Sequence, residues 1–225
     1  MATALAVVVC LLLGYLIGAV NFAVIVGRAH GVDILEEGSK NPGATNVKRV
    51  LGSSAGNLVF ALDVVKGAAG TFLPFFFIWY VDNSYINIET TFSEAWNSSI
   101  YLFIAGFVGT ILGHCFSVFL KFKGGKGVAS TIGGLLIIMP YPIIIGAVVW
   151  IVVFTFTRYV SVASMALGLS LPVSSLLLSR FVSGNLYQDS HTIFAAVVAL
   201  FNIWTHRTNI TRLLAGVENR FGAKK

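Results

Sequence analysis

Apolar runs long enough to cross a bilayer recur along this chain and leave little sequence for anything else. A helix needs about 20 apolar residues to span the hydrocarbon. Segments 4–27, 57–80, 99–120 and 160–180 reach that length, and 190–206 falls a little short but ends in polar anchors. The run from Val128 to Phe156 is too long for one helix and is interrupted by MPYP at 139–142. Proline removes a backbone donor and disfavours helix in the residue before it. That run therefore splits into a short helix near 128–139 and another near 142–157. The expected fold is all-α, a polytopic membrane protein of seven transmembrane helices, two of them short, in a single domain over residues 1–225.

Composition agrees. Of the 225 residues, 56% are hydrophobic and 11% charged, against roughly 25% charged in a soluble domain. The net charge of +6 does not point to nucleic acid, because the cationic residues cluster at the ends of the apolar segments, as membrane orientation requires. With the N-terminus outside, the inner segments are 28–56, 121–127, about 157–160 and the tail from His206, and these hold nearly every Lys and Arg. The outer segments, about 81–98 and 181–189, hold Asp82, Glu89, Glu94 and Asp189, with only Arg180 at their edge. The C-terminus is then cytoplasmic. The first apolar run has no basic segment before it and is too long for a signal peptide. Cys10 and Cys115 offer neither a disulfide framework nor metal-ligand spacing. The pairs Gly14/Gly18 and Gly109/Gly113 have the spacing of close helix packing.

Three polar stretches fall on the inner side. EEGSKNPGATNVKRVLG, residues 36–52, is rich in glycine and small polar side chains and ends in Lys48 and Arg49. Such residues let backbone N–H groups approach a phosphate, and arginine adds a planar, bidentate partner. GHCFSVFLKFKGGKGVAS, residues 113–130, is not a Walker A motif, since Gly127 follows Lys126 and the upstream glycine is missing. It is a glycine cluster opening onto a helix expected to start near Val128, where free N–H groups and the helix dipole attract anions. A simple basic anchor explains its lysines but not Gly124, Gly125 and Gly127, which cost order unless the backbone must approach something closely. HRTNITRLLAGVENR, residues 206–220, spaces Ile210, Leu213, Leu214 and Val217 as an amphipathic surface helix. Within the span 57–80, Asp63 and Lys66 share one helical face, which is either a functional pair or a self-neutralised one.

These stretches, in order and spacing over nearly the whole chain, resemble the bacterial integral-membrane glycerol-3-phosphate acyltransferases that use acyl phosphate as donor. The resemblance implies transfer of a fatty acyl group from acyl phosphate to the 1-hydroxyl of glycerol 3-phosphate. Lysophosphatidic acid and phosphate would result, at the cytoplasmic face of the bacterial plasma membrane, as the first step of phospholipid synthesis. It implies no metal and no cofactor. The implied partners are the two substrates, membrane lipids and the enzyme that produces acyl phosphate, with no nucleic acid. Position by position, Ser39, Arg49, Lys126, His206 and Asn209 match the family's catalytic residues. Gly38, Asn41, Gly43, Thr45, Asn46, His114, Lys123, Gly124, Gly125 and Gly127 match its substrate-binding loops. Lys40 stands where the family usually has glycine, and Ser117 where proline is common.

A transporter of phosphorylated solutes is the alternative, but it needs a polar path to the outer face, and the polar residues here gather inside. A purely structural membrane protein leaves the glycine–lysine loop idle. The acyltransferases built on H-x-x-x-x-D are excluded, because none of His30, His114, His191 and His206 has aspartate at that spacing.

Overall fold

The structure, a computed structural model, describes residues 2–81, 88–182, 187 and 189–222. Of these, residues 2–3, 77–81 and 88–99 are described by backbone alone. Every regular element among the described residues is helical. In chain order they are α1 (Ala2–Ala19), α2 (Phe22–Ala29), α3 (Ala44–Leu51), α4 (Ser53–Val81), α5 (Ile88–Cys115), α6 (Val128–Ile138), α7 (Pro140–Thr157), α8 (Val160–Phe181), α9 (Asp189–Thr205) and α10 (Arg207–Leu214). Five stretches are helical, long and apolar enough to cross a membrane: Ala4–Ala29, Ser53–Phe76, Ile100–Leu120, Pro140–Thr157 and Val160–Phe181. The apolar α6 and the 17-residue α9 occupy the two remaining expected positions. The break at MPYP falls where expected, with Met139 out of helical conformation between α6 and α7 and Pro140 at the first position of α7, where its missing N–H costs nothing.

The chain packs as two compact units, Met1–Ile138 and Met139–Lys225. In the first, α1 lies along α5, and α4 packs against α1, α3, α5 and α6. Glycine makes the α1–α5 approach possible: a Cβ on Gly14 would strike the Gly106 carbonyl, and one on Gly113 the Tyr15 carbonyl. A second apolar cluster of Ala23, Val26, Ile34, Val47, Ala55 and Val59 seats α2, α3 and the polar loop between them on α4. In the second unit, α8 packs against α7 and α9, and α10 follows on α9.

The chain departs from expectation in three places. Segment 4–27 is not one helix but α1 and α2, because Asn21 caps α2 by accepting from Val24 N–H at 3.0 Å. The freed carbonyls at the end of α1 find side-chain donors: Ser117 Oγ donates to Ala19 O at 2.6 Å, and Lys66 Nζ to Val20 O at 2.8 Å. Segment 99–120 ends as an α-helix at Cys115, and the chain continues through a single 3₁₀ turn, Val118–Leu120. The stretch expected as an outer loop, 81–98, is helical from Ile88, while Asp82 lies outside the described residues, as do Lys224 and Lys225 of the tail.

Candidate active site

The first polar loop is organised by one buried amide. Asn46, 1% exposed, sits in the first turn of α3. Its Oδ1 accepts from Ser39 N–H at 2.8 Å and from Arg49 Nη1 at 3.3 Å. Its Nδ2 donates to Ile34 O at 3.2 Å and Glu37 O at 3.0 Å. An amide has two donors and two acceptor sites, so this one is saturated. Asn46, matched above to substrate binding, folds the loop and aligns Ser39 with Arg49. Gly38 (φ +60) and Lys40 (φ +58) both adopt the left-handed backbone, which explains why glycine suits position 40 and makes Lys40 a mildly strained substitute. The Lys40 ammonium pairs with Glu36 at 3.1 Å, well exposed to solvent. Asn41, Gly43 and Thr45 line the turn into α3, and Gly43 is the residue that precedes its first turn.

The second loop folds back over the end of α5. Gly124 N–H donates to Cys115 O at 3.0 Å and Gly125 N–H to His114 O at 3.1 Å, satisfying carbonyls that a helix C-terminus leaves open. A Cβ on Gly124 would strike the His114 carbonyl, and one on Gly125 the His114 ring at Nε2. The close backbone approach that the sequence demanded is therefore to α5 itself. Those two N–H groups are engaged and do not serve an anion. The donors left open are in the first turn of α6, which starts at Val128 behind Gly127 (φ +78) and has no carbonyl of its own helix to serve. Lys126 is half-buried at that helix entrance and Lys123 is exposed. The two loops meet at Pro42, whose carbonyl lies 3.1 Å from where a Gly125 Cβ would be and accepts from Asn21 Nδ2 at 3.2 Å.

Beneath the second loop lies a buried charged cluster. Asp63 and Lys66 side chains are 3% and 2% exposed and in contact at 2.8 Å. Lys66 Nζ also lies 3.1 Å from His114 Nδ1, and Ser130 Oγ 3.3 Å from the same nitrogen. The Lys66 ammonium donates to Val20 O, just past α1, pairs by charge with Asp63 and lies within hydrogen-bond reach of His114 Nδ1.

The third stretch is built within the second unit. His206, 3% exposed, sits at the α9–α10 junction with Nδ1 2.8 Å from Asn202 O. Asn209 Nδ2 donates to Glu218 Oε1 at 2.7 Å, and Glu218 also accepts from Ser161 Oγ at 2.9 Å and Arg212 Nε at 2.9 Å. Burial alone would raise the Glu218 pKa. The hydrogen bonds from Asn209, Ser161 and Arg212, with the Arg212 charge, outweigh it and hold this carboxyl below its ordinary range. Val217 lies beyond the end of α10, so the amphipathic helix is shorter than its apolar spacing suggested.

The profile of one family, glycerol-3-phosphate acyltransferase, matches residues 8–216. The glycerol-3-phosphate acyltransferase of Fusobacterium nucleatum is 39% identical over 213 residues, covering 94% of this chain and 96% of that one. Glycerol-3-phosphate acyltransferase 2 of Bacillus anthracis is 37% identical over 215 residues, covering 95% and 98%. This chain belongs to the glycerol-3-phosphate acyltransferase family. Among solved structures it is similar to PlsY, an integral membrane glycerol 3-phosphate acyltransferase. Its glycerol 3-phosphate form superposes with a TM-score of 0.74 at 31% identity, over 99% of this chain and 96% of that one. The lysophosphatidic acid form gives 0.74 at 34%, over 96% and 95%. Like that relative, this acyltransferase is an integral membrane protein, and its regular elements among the described residues are all helices.

Ser39, Arg49 and Asn46 are thus gathered in one loop, and His114 and the Gly124–Gly127 turn lie against that loop's Pro42. His206 and Asn209 are gathered separately in the second unit. Glu218 and Asn21 went unassigned in the sequence. Glu218 carried one available signal: it is the sole acid of a stretch otherwise basic.

Proposed function

We propose that this acyltransferase uses acyl phosphate as donor and acylates the 1-hydroxyl of glycerol 3-phosphate. The observation that carries the reading is the meeting of two anion-suited loops at Pro42: the Ser39–Arg49 loop, and the entrance of α6 with Lys126. Both substrates bear phosphate, so two sets of donors are needed: in this reading the α6 entrance with Lys126 takes the phosphate of glycerol 3-phosphate, and the Ser39–Arg49 loop that of the donor. Support also comes from the family profile, which runs across both units and suits a single working domain. The concentration of Lys and Arg on one set of segments suits a cytoplasmic site in a bacterial plasma membrane with the N-terminus outside.

In the reaction the glycerol hydroxyl oxygen bonds to the acyl carbonyl carbon. The carbon–oxygen bond to phosphate breaks, its electron pair leaves with the phosphate, and that phosphate accepts the hydroxyl proton. The donor is already an activated mixed anhydride, so no strong protein base is required. Lys126, Arg49 and the open N–H groups of α6 stabilise the charge that develops on the carbonyl and phosphate oxygens. Ser39 positions substrate rather than attacking it. The test is purified protein in lipid, given labelled glycerol 3-phosphate with palmitoyl phosphate or, in parallel, palmitoyl-CoA. Lysophosphatidic acid and free phosphate should form with palmitoyl phosphate alone. Equal turnover of palmitoyl-CoA would overturn the donor assignment, and a trapped acyl-Ser39 would overturn direct transfer.

A further inference from the structure

Asp63 and Lys66 take no part in the chemistry derived above, yet they are two charges buried within a membrane-spanning helix. Such a pair costs free energy. In return it fixes the His114 imidazole. The Lys66 ammonium has donors only, so at 3.1 Å His114 Nδ1 is the accepting, unprotonated nitrogen. A doubly protonated ring would set Nδ1–H against that ammonium, and Ser130 Oγ, 3.3 Å away, adds a second donor to the same nitrogen. Asp63 Oδ1 lies 3.7 Å from Nδ1 and holds the lysine rather than the ring. The one ring proton is then on Nε2. That N–H has no acceptor among the described residues, although the side chain is only 4% exposed. It lies against the bare face of Gly125.

The geometry points to Asp63 and Lys66 as a positioning pair that locks His114 in its Nε2–H tautomer, so that this N–H donor is presented at Gly125, beside the α6 entrance that takes the phosphate. This rests on the phosphate reading of the α6 entrance. Asp63 holds Lys66 in place, Lys66 sets the tautomer, and His114 delivers the hydrogen bond to a phosphate oxygen. Neither charged residue touches substrate.

Two readouts separate this inference from the reading beneath it. The first needs no substrate: ¹⁵N-histidine-labelled enzyme in lipid nanodiscs, with the His114 signals assigned by their loss in His114→Gln. Wild type should show a pyridine-type Nδ1 and a pyrrole-type Nε2. The paired variant Asp63→Asn/Lys66→Met removes both charges together, leaving neither unpaired, and should show mixed tautomers. The second readout is kinetic. The paired variant should raise KM for glycerol 3-phosphate about tenfold, the worth of one hydrogen bond to a charged group, with kcat changed far less. His114→Gln, which returns an N–H close to the Nε2 position, should stay nearer wild type than His114→Ala. A wild-type His114 protonated on Nδ1 overturns the inference, and so does an unchanged KM in a folded paired variant. Should that variant not fold, equal KM values for the Gln and Ala variants overturn it instead. Wild-type enzyme that turns over without saturating in glycerol 3-phosphate would overturn the phosphate reading and the inference with it.

Discussion

The two loops of the first unit are held in opposite ways. The first wraps around a single side chain: Asn46 fixes Ile34, Glu37, Ser39 and Arg49 at once. The second has no such hub. Its glycines donate backbone N–H groups to the end of α5, and a buried charged cluster supports it from below. One loop therefore fails when a group is removed, and the other fails when an atom is added. Removal leaves several buried polar groups without partners, whereas addition meets backbone and a held ring that cannot step aside.

Removing the hub should have the largest effect. Asn46→Ala should cost about 3 kcal/mol, since each lost bond is worth about 1 kcal/mol, and should lower kcat/KM at least 100-fold. Thermal denaturation and steady-state kinetics would check both. Adding an atom comes next. Gly125→Ala should cost about 2 kcal/mol through overpacking against His114 and Pro42, and should raise KM for glycerol 3-phosphate. Combining it with His114→Ala should return part of the lost stability, because the ring it strikes is gone. A strictly additive pair would show that the ring is not what the new methyl meets.

The third motif resembles the first loop in being gathered on one residue, but that residue is charged. Glu218 has its pKa held below the ordinary carboxylate range, so its contribution is complete above its unfolded pKa and is lost as pH falls through the lower folded one. Glu218→Gln should lose about 1.5 kcal/mol at neutral pH, the scale of a hydrogen bond to a charged group. The gap between variant and wild type should close on acidification, as read from denaturation midpoints across acidic pH. Lys40→Gly should have the smallest effect. It relieves a left-handed residue, against which stand the greater chain entropy that glycine loses on folding and the loss of an exposed ion pair, so the expected change is a stabilisation under about 1 kcal/mol with activity kept.

Much of the fold was legible because its signals are local. The apolar runs placed the spans, and MPYP placed the α6–α7 break within a residue or two, since proline acts on its own neighbours. The α1–α2 break was not legible. Asn21 in an apolar run reads as a tolerated polar residue, and only Val24, Pro42, Lys66 and Ser117 make a break there affordable. In the site, the residue types were right to look at, but their tasks depended on partners far away in sequence. Asn46 reads as a ligand until its four bonds are seen, and the glycines read as anion donors until Cys115 and His114 claim their N–H groups. Ser117, odd against the family's proline, is explained by its bond to Ala19, 98 residues away in the chain.

The most direct measurement is equilibrium binding of labelled glycerol 3-phosphate to purified enzyme without acyl donor, comparing wild type with Lys126→Ala. Saturable binding to wild type, weakened at least tenfold in the variant by loss of a charged phosphate partner, is the expected result. Equal binding to both would contradict the assignment of the α6 entrance to phosphate.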